Sequence, residues 1–163
     1  MRVTIWGCRG SLATPGRETL RVGGNTTCVE VAANGASVVL DAGTGIRALG
    51  RELAEREART IHICLTHLHL DHIEGLGFFA PFYDPDCEVY VWGPPSSVRS
   101  LKERISRYLS SPLFPIEISD LPARVTFPCA SRRTSCSEYW RTSSSVRGGL
   151  SGSRPASRKA CLS

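Results

Sequence analysis

The seven residues Thr66-His67-Leu68-His69-Leu70-Asp71-His72 contain three of the chain's four histidines and an aspartate. The fourth, His62, lies just upstream, and no histidine follows His72. Neutral imidazoles and a carboxylate are the side chains that zinc, iron or manganese accept together, so an H-x-H-x-D-H pattern reads as a metal-ligand loop. On an extended backbone His67, His69 and Asp71 fall on one side, Leu68 and Leu70 anchor the other side in the core, and His72 swings round the following turn. Such a loop can offer two imidazoles to one ion and a carboxylate plus an imidazole to a second, the layout of two-metal hydrolysis. Metal ions so held bring a bound water's pKa near neutrality and neutralise charge on an attacked phosphoryl or carbonyl group. A strand with a merely polar face has no need of four potential ligands in six residues.

Other positions can serve this loop. Asp41, in LDAGTG, follows an apolar strand. It reads either as a turn aspartate ahead of a helix or as the acceptor that fixes the tautomer of a metal-binding imidazole. Gly43-Thr44-Gly45 puts backbone N–H groups at a helix start, where an anion is stabilised. Gly23-Gly24-Asn25-Thr26 reads as a hairpin turn, and Asn25 and Thr44 are candidate substrate contacts.

The elements that must position these residues follow an α/β rhythm. Val3–Trp6, Cys28–Ala32 and Val38–Leu40 read as strands separated by glycine-rich turns. The spacing predicts a helix capped by Thr44, with Ile46, Leu49, Leu53 and Ala54 on its inner face. Ile61–Leu65 is an almost continuous apolar run, the mark of a strand buried on both faces, and it leads directly into the histidine loop. The ligands then lie beyond the carboxyl end of a strand, where open α/β sheets place their sites. Further on, Ile73–Phe79 reads as a short helix start and Glu88–Trp92 as a strand. Ser97–Leu109 reads as a helix with Val98, Leu101, Ile105 and Leu109 inward, ended by Pro112 and Pro115, and Ile116–Phe127 as a strand-turn-strand passage.

A chain of 163 residues fits one domain. The N-terminus has no apolar signal segment and no stretch is long and apolar enough to span a bilayer, so the expectation is a cytoplasmic protein without a membrane partner. Seven cysteines form no C-x-x-C, and four of them sit among strand-like residues, as reduced packed thiols do. The net charge of +5 is unevenly placed. Residues 1–120 carry 12 Lys+Arg against 14 Asp+Glu, whereas residues 121–163 carry 8 against 1. From Cys129 onward ten serines and seven basic residues interrupt any helical or strand period, so this tail reads as disordered or out of frame. A genuine Ser/Arg-rich tail would instead bind RNA or another polyanion through phosphates.

Together, GCRGSLATPG, GGNTTCVEV, LDAGTGIRALG and LTHLHLDHIEGL resemble the metallo-β-lactamase-fold hydrolases, and within them the ribonuclease Z-like and cyclic-phosphodiesterase-like branch. The resemblance covers residues 1 to about 127. It implies an α/β protein with an αββα sandwich and a dinuclear site at the edge between its two sheets. That site usually holds two Zn2+, with Mn2+ or Fe as alternatives. It also implies a phosphate-ester substrate, a nucleotide or RNA among them. Carried onto this chain, His67 and His69 match ligands of the first metal and Asp71 and His72 those of the second. Asp71 also matches the residue credited with proton-shuttle duty, and Asp41 the supporting aspartate. Family members draw a further metal-binding histidine, a bridging aspartate and a last histidine from the second half of the sandwich. This chain has none at matching positions, since Asp120 is too early and Glu138 lies in the tail. The expectation is therefore an incomplete domain over 1–128, the N-terminal half to two-thirds of the sandwich, with apolar sheet surface left uncovered and a separate tail over 129–163. The expected activity is metal-dependent hydrolysis of phosphodiester type. The alternatives are a catalytically silent truncated product and a nucleic-acid-binding protein that works through its basic tail.

Overall fold

The computed structural model describes residues 1–33 and 36–128. The expectations for the 129–163 tail, disordered, out of frame or polyanion-binding, fall outside the described residues. Six strands form one mixed sheet in sequential order: β1 (Arg2–Gly7), β2 (Cys28–Ala33), β3 (Ala36–Leu40), β4 (Thr60–Cys64), β5 (Glu88–Trp92) and β6 (Arg124–Thr126). β1, β2 and β3 pair antiparallel, and β3 to β6 run parallel. The parallel half needs crossovers. The first is helix α1 (Ile46–Glu55), the second carries the histidine loop and a single turn, α2 (Leu70–Ile73), and the third contains α3 (Leu101–Ser106).

Register sorts the side chains between the two faces. Glu30, Val39, Ile63 and Val91 form one cross-strand row, and Ser37, Ile61 and Val89 a second, all buried. α1 supplies Ile46, Leu49 and Leu53 to the same core, and Phe79 and Phe82 fill it at 5.4 Å in an edge-on pair. Gly50 sits where a Cβ would press on the Phe79 ring, which lets helix and aromatic approach closely. On the opposite face Val3 and Ile5 in β1 and Leu40 in β3, on either side of β2, remain exposed, as expected for part of a sandwich with one helical layer.

Several expectations need correction. Thr44 does not cap α1 through its side chain. Gly45 occupies the N-cap, and the Thr44 hydroxyl accepts from the Thr26 N–H while donating to Asn25 Oδ1. Ala54 is exposed, not inward. α3 starts only at Leu101, because Ser100 and Glu103 close a reciprocal capping box there, and Val98 is left 83% exposed outside the helix. Ile116–Phe127 yields one strand, since the Glu117–Asp120 hydrogen bond folds the first part into a 3-10 turn.

Candidate metal centre

Leu65 still pairs with β5 through its N–H to the Trp92 carbonyl, and the chain then leaves the sheet at Thr66. The loop does not stay extended through Asp71, as alternation had suggested. The His72 N–H returns to the His69 carbonyl, and α2 begins at Leu70 with His69 as its N-cap. This turn rotates Leu70 outward to 61% exposure, while Leu68 packs against the core as expected. It also brings His72 round onto His67. The His67 and His69 rings lie 4.5 Å apart edge-on, and the His67 and His72 rings 4.0 Å apart. Asp71 Oδ2 is 3.4 Å from His72 Nε2. All four sequence-derived ligand residues are thus brought together at the carboxyl end of β4. His62 is not with them; it is buried in the sheet, stacked on Tyr90, with its Nδ1 accepting from the Trp92 indole N–H.

Asp41 lies behind this group, 3% exposed and in the left-handed backbone region at φ 59, which aspartate tolerates better than most side chains. Its Oδ1 accepts from both the N–H and the hydroxyl of Thr66, at 2.8 and 3.0 Å. Its Oδ2 lies 2.9 Å from His72 Nδ1. That contact has ion-pair distance but is misaligned for a hydrogen bond, so His72 Nδ1 is buried without one. Asp41 thus lies behind the loop, hydrogen-bonded to Thr66 and close to His72.

Two contributors were not foreseen. Thr66 Oγ1 is 3.0 Å from His67 Nδ1, so one hydroxyl links Asp41 to the first imidazole and leaves the His67 Nε2 side for another partner. Ser11, itself at φ 65, donates its N–H to Asp71 Oδ2 at 2.8 Å across 60 residues of sequence. That hydrogen bond, followed by the neighbouring His72 and His67, holds the Asp71 carboxyl below its ordinary range against the opposing effect of desolvation. Glycines allow the close packing beneath the loop: a Cβ on Gly43 would run into the Asp71 carbonyl, and one on Gly75 into the Gly43 carbonyl. Asn25 and Thr44 hydrogen-bond each other beside Glu74, whose Oε1 accepts from the Thr26 hydroxyl.

The donor set fits a divalent cation in kind and in proximity, and falls short in number. Among the described residues no group of three or more His, Cys, Asp or Glu is arranged to hold one ion. The His67 ring is closer to His72, at 4.0 Å, than to His69, at 4.5 Å, and Asp71 contacts His72. Cys28 and Cys87 are buried, and burial pushes the Cys28 thiol up to about 12, so neither is poised as a thiolate ligand.

Residues 21–86 match the model of the metallo-beta-lactamase superfamily, and this span holds Asp41 and the whole ligand loop. The chain carries a metallo-β-lactamase superfamily segment. The segment is ribonuclease Z-like: it is 34% identical over 74 residues to ribonuclease Z of Clostridium acetobutylicum and 41% identical over 51 residues to that of Deinococcus radiodurans. Those alignments cover 45% and 30% of this chain but only 22% and 15% of the relatives, so the chain spans less than a quarter of the curated proteins it matches. Human tRNase Z, short form, superposes with a TM-score of 0.44 at 21% identity over 78% of this chain and 46% of its own. No helix among the described residues is long and apolar enough to cross a membrane.

Proposed function

We propose that this metallo-β-lactamase segment belongs to a metal-dependent hydrolase of phosphodiester bonds, with a phosphate ester such as a nucleotide or RNA as substrate and the cytoplasm as its place of action. His67 and His69 would hold one zinc ion, and Asp71 and His72 a second. Bound there, the ions supply an activated water and neutralise charge on the attacked phosphoryl group. The chain's own residues do the positioning. Thr66, held by Asp41, fixes the rotation of His67, and Asp41 sets a carboxylate beside His72, while the Ser11 N–H keeps the Asp71 carboxylate ionised and directed toward His72, as a ligand or proton acceptor must be. The observation that carries this reading is the convergence of three imidazoles and a carboxylate on a turn backed by a buried aspartate.

With two protein ligands per ion where a catalytic zinc usually has three, the proposal includes an incomplete domain over 1–128, distinct from the tail at 129–163. The same shortfall favours a second reading, a product that binds metal weakly and does not turn over. Hydrolysis of bis-p-nitrophenyl phosphate with added zinc separates the two. Turnover that disappears in His69→Ala supports the hydrolase, and a purified chain that binds zinc with no turnover supports the silent product.

A further inference from the structure

Beside the ligand loop lies an open cleft of about 790 Å³ that the proposed metal chemistry leaves unused. Its wall is the outer face of α1, where Arg47 and Arg51 stand four residues apart and therefore project from the same side of the helix. Both are exposed, and among the described residues neither is ion-paired, although Glu55 stands a further turn along from Arg51. Across the cleft Phe78 is 57% exposed, its ring held edge-on by Phe114 at 5.6 Å. The remaining polar lining is already committed: Asn25 and Thr44 to each other, Glu74 Oε1 to Thr26, and the Tyr108 hydroxyl to the Glu74 carbonyl. The chemistry left to the cleft is thus two guanidinium groups and one supported aromatic face, with the Asn25 amide N–H groups and the second oxygen of the Glu74 carboxylate at its loop end.

Guanidinium groups favour phosphate through paired N–H donors, and an exposed aromatic ring favours a nucleobase by stacking. A cleft of this size has room for more than an isolated phosphate ion. It also joins the ligand loop directly, since Glu74 follows His72 by two residues and the Gly75 N–H is bonded to the Ala42 carbonyl next to Asp41. We propose that this cleft is a nucleotide subsite flanking the metal loop, in which Arg47 and Arg51 hold a phosphate and Phe78 stacks on the attached base. The assignment takes its ligand class from the phosphate-ester chemistry proposed above. It adds the residues that hold a neighbouring nucleotide in register with the loop.

The test is binding of a fluorescein-labelled oligouridylate to the full chain in EDTA, followed by anisotropy across a salt series. In single-stranded nucleic acid each lost phosphate contact lowers the log–log salt slope by about 0.7. Arg47→Gln/Arg51→Gln should therefore flatten the slope by roughly 0.7, and Arg47→Lys/Arg51→Lys should restore most of it. Phe78→Ala should weaken the oligouridylate roughly tenfold and leave binding of inorganic tripolyphosphate unchanged. An unchanged salt slope in the Arg→Gln pair, with an unchanged urea midpoint, would place binding on the basic tail and overturn the subsite. Equal loss of oligouridylate and tripolyphosphate in Phe78→Ala would also overturn it. The two proposals fail separately. Absence of hydrolysis with arginine-dependent binding intact rejects the hydrolase and keeps the subsite, whereas loss of binding in His69→Ala would move the ligand onto the metal loop and reject the subsite.

Discussion

Replacing Arg56 by alanine removes the closest cation from a buried carboxylate and leaves it Ser37 and the more distant Arg2, at 3.8 Å. The Glu30 side chain is fully buried in the middle of β2, facing α1, and accepts from Arg56 at 2.9 and 3.3 Å and from the Ser37 hydroxyl at 3.0 Å. Burial pushes its carboxyl up, but the hydrogen bonds from Arg56 and Ser37 and the guanidinium charge outweigh that effect and leave it below its ordinary value. Removing one member of a buried pair costs about 3–5 kcal/mol. Arg56 retains 31% exposure, so water can partly replace it, and a loss of about 2–4 kcal/mol at pH 7 is expected. The pH dependence carries a sign. A carboxylate depressed in the folded state stabilises the fold above its unfolded pKa of about 4.3 and loses that contribution as pH falls through the folded value. In Arg56→Ala desolvation dominates, Glu30 takes up a proton on folding, and the deficit relative to the parent shrinks from pH 7 toward pH 5. Urea unfolding at both pH values measures this, and Glu30→Met/Arg56→Ala should be less destabilised than Arg56→Ala alone. A deficit below about 0.5 kcal/mol, or one that is equal at the two pH values, would refute the reasoning.

Asp41→Asn should weaken zinc binding 10- to 100-fold in a chelator competition, because Thr66 loses its charged acceptor and the carboxylate 2.9 Å from His72 Nδ1 is neutralised. Asp41→Ala should melt lower than Asp41→Asn, since alanine at φ 59 adds about 1–2 kcal/mol of backbone strain. Leu53→Ala in the core should cost about 2–5 kcal/mol by urea titration, and Val98→Ala, outside α3, less than about 0.5 kcal/mol. Iodoacetamide at pH 8 with peptide mapping should label exposed Cys8 in the folded chain and reach Cys28, whose thiol is pushed up to about 12, only after denaturation.

Strands β1 to β5 and α1 were legible because their apolar spacing matches a face that packing then buries, as with Leu49 and Leu53 against the sheet. The ligand loop was legible because residue types alone limit what H-x-H-x-D-H can do. Its conformation was not: alternation favoured an extended Asp71, while a local hydrogen bond from His72 to His69 made a helical turn and turned Leu70 to solvent. Val98 misled in the same way, as apolar period said helix and the Ser100–Glu103 box began the helix after it. Ser11 and Thr66 act through tertiary hydrogen bonds, one across 60 residues, that no local pattern encodes. Asp41 was ambiguous in sequence because the same aspartate suits a turn and a support, and its place beside Thr66 and His72 depends on tertiary packing that the local sequence does not encode.

The central claim is that His67, His69, Asp71 and His72 hold metal. Zinc retained after equilibrium dialysis, measured by plasma mass spectrometry, tests it most directly against His67→Ala/His69→Ala, with circular dichroism to confirm that both proteins are folded. Zinc is expected in the parent chain and at background level at that pair of sites in the variant. Equal zinc in the two folded proteins, or none in the parent at saturating zinc, would contradict the account.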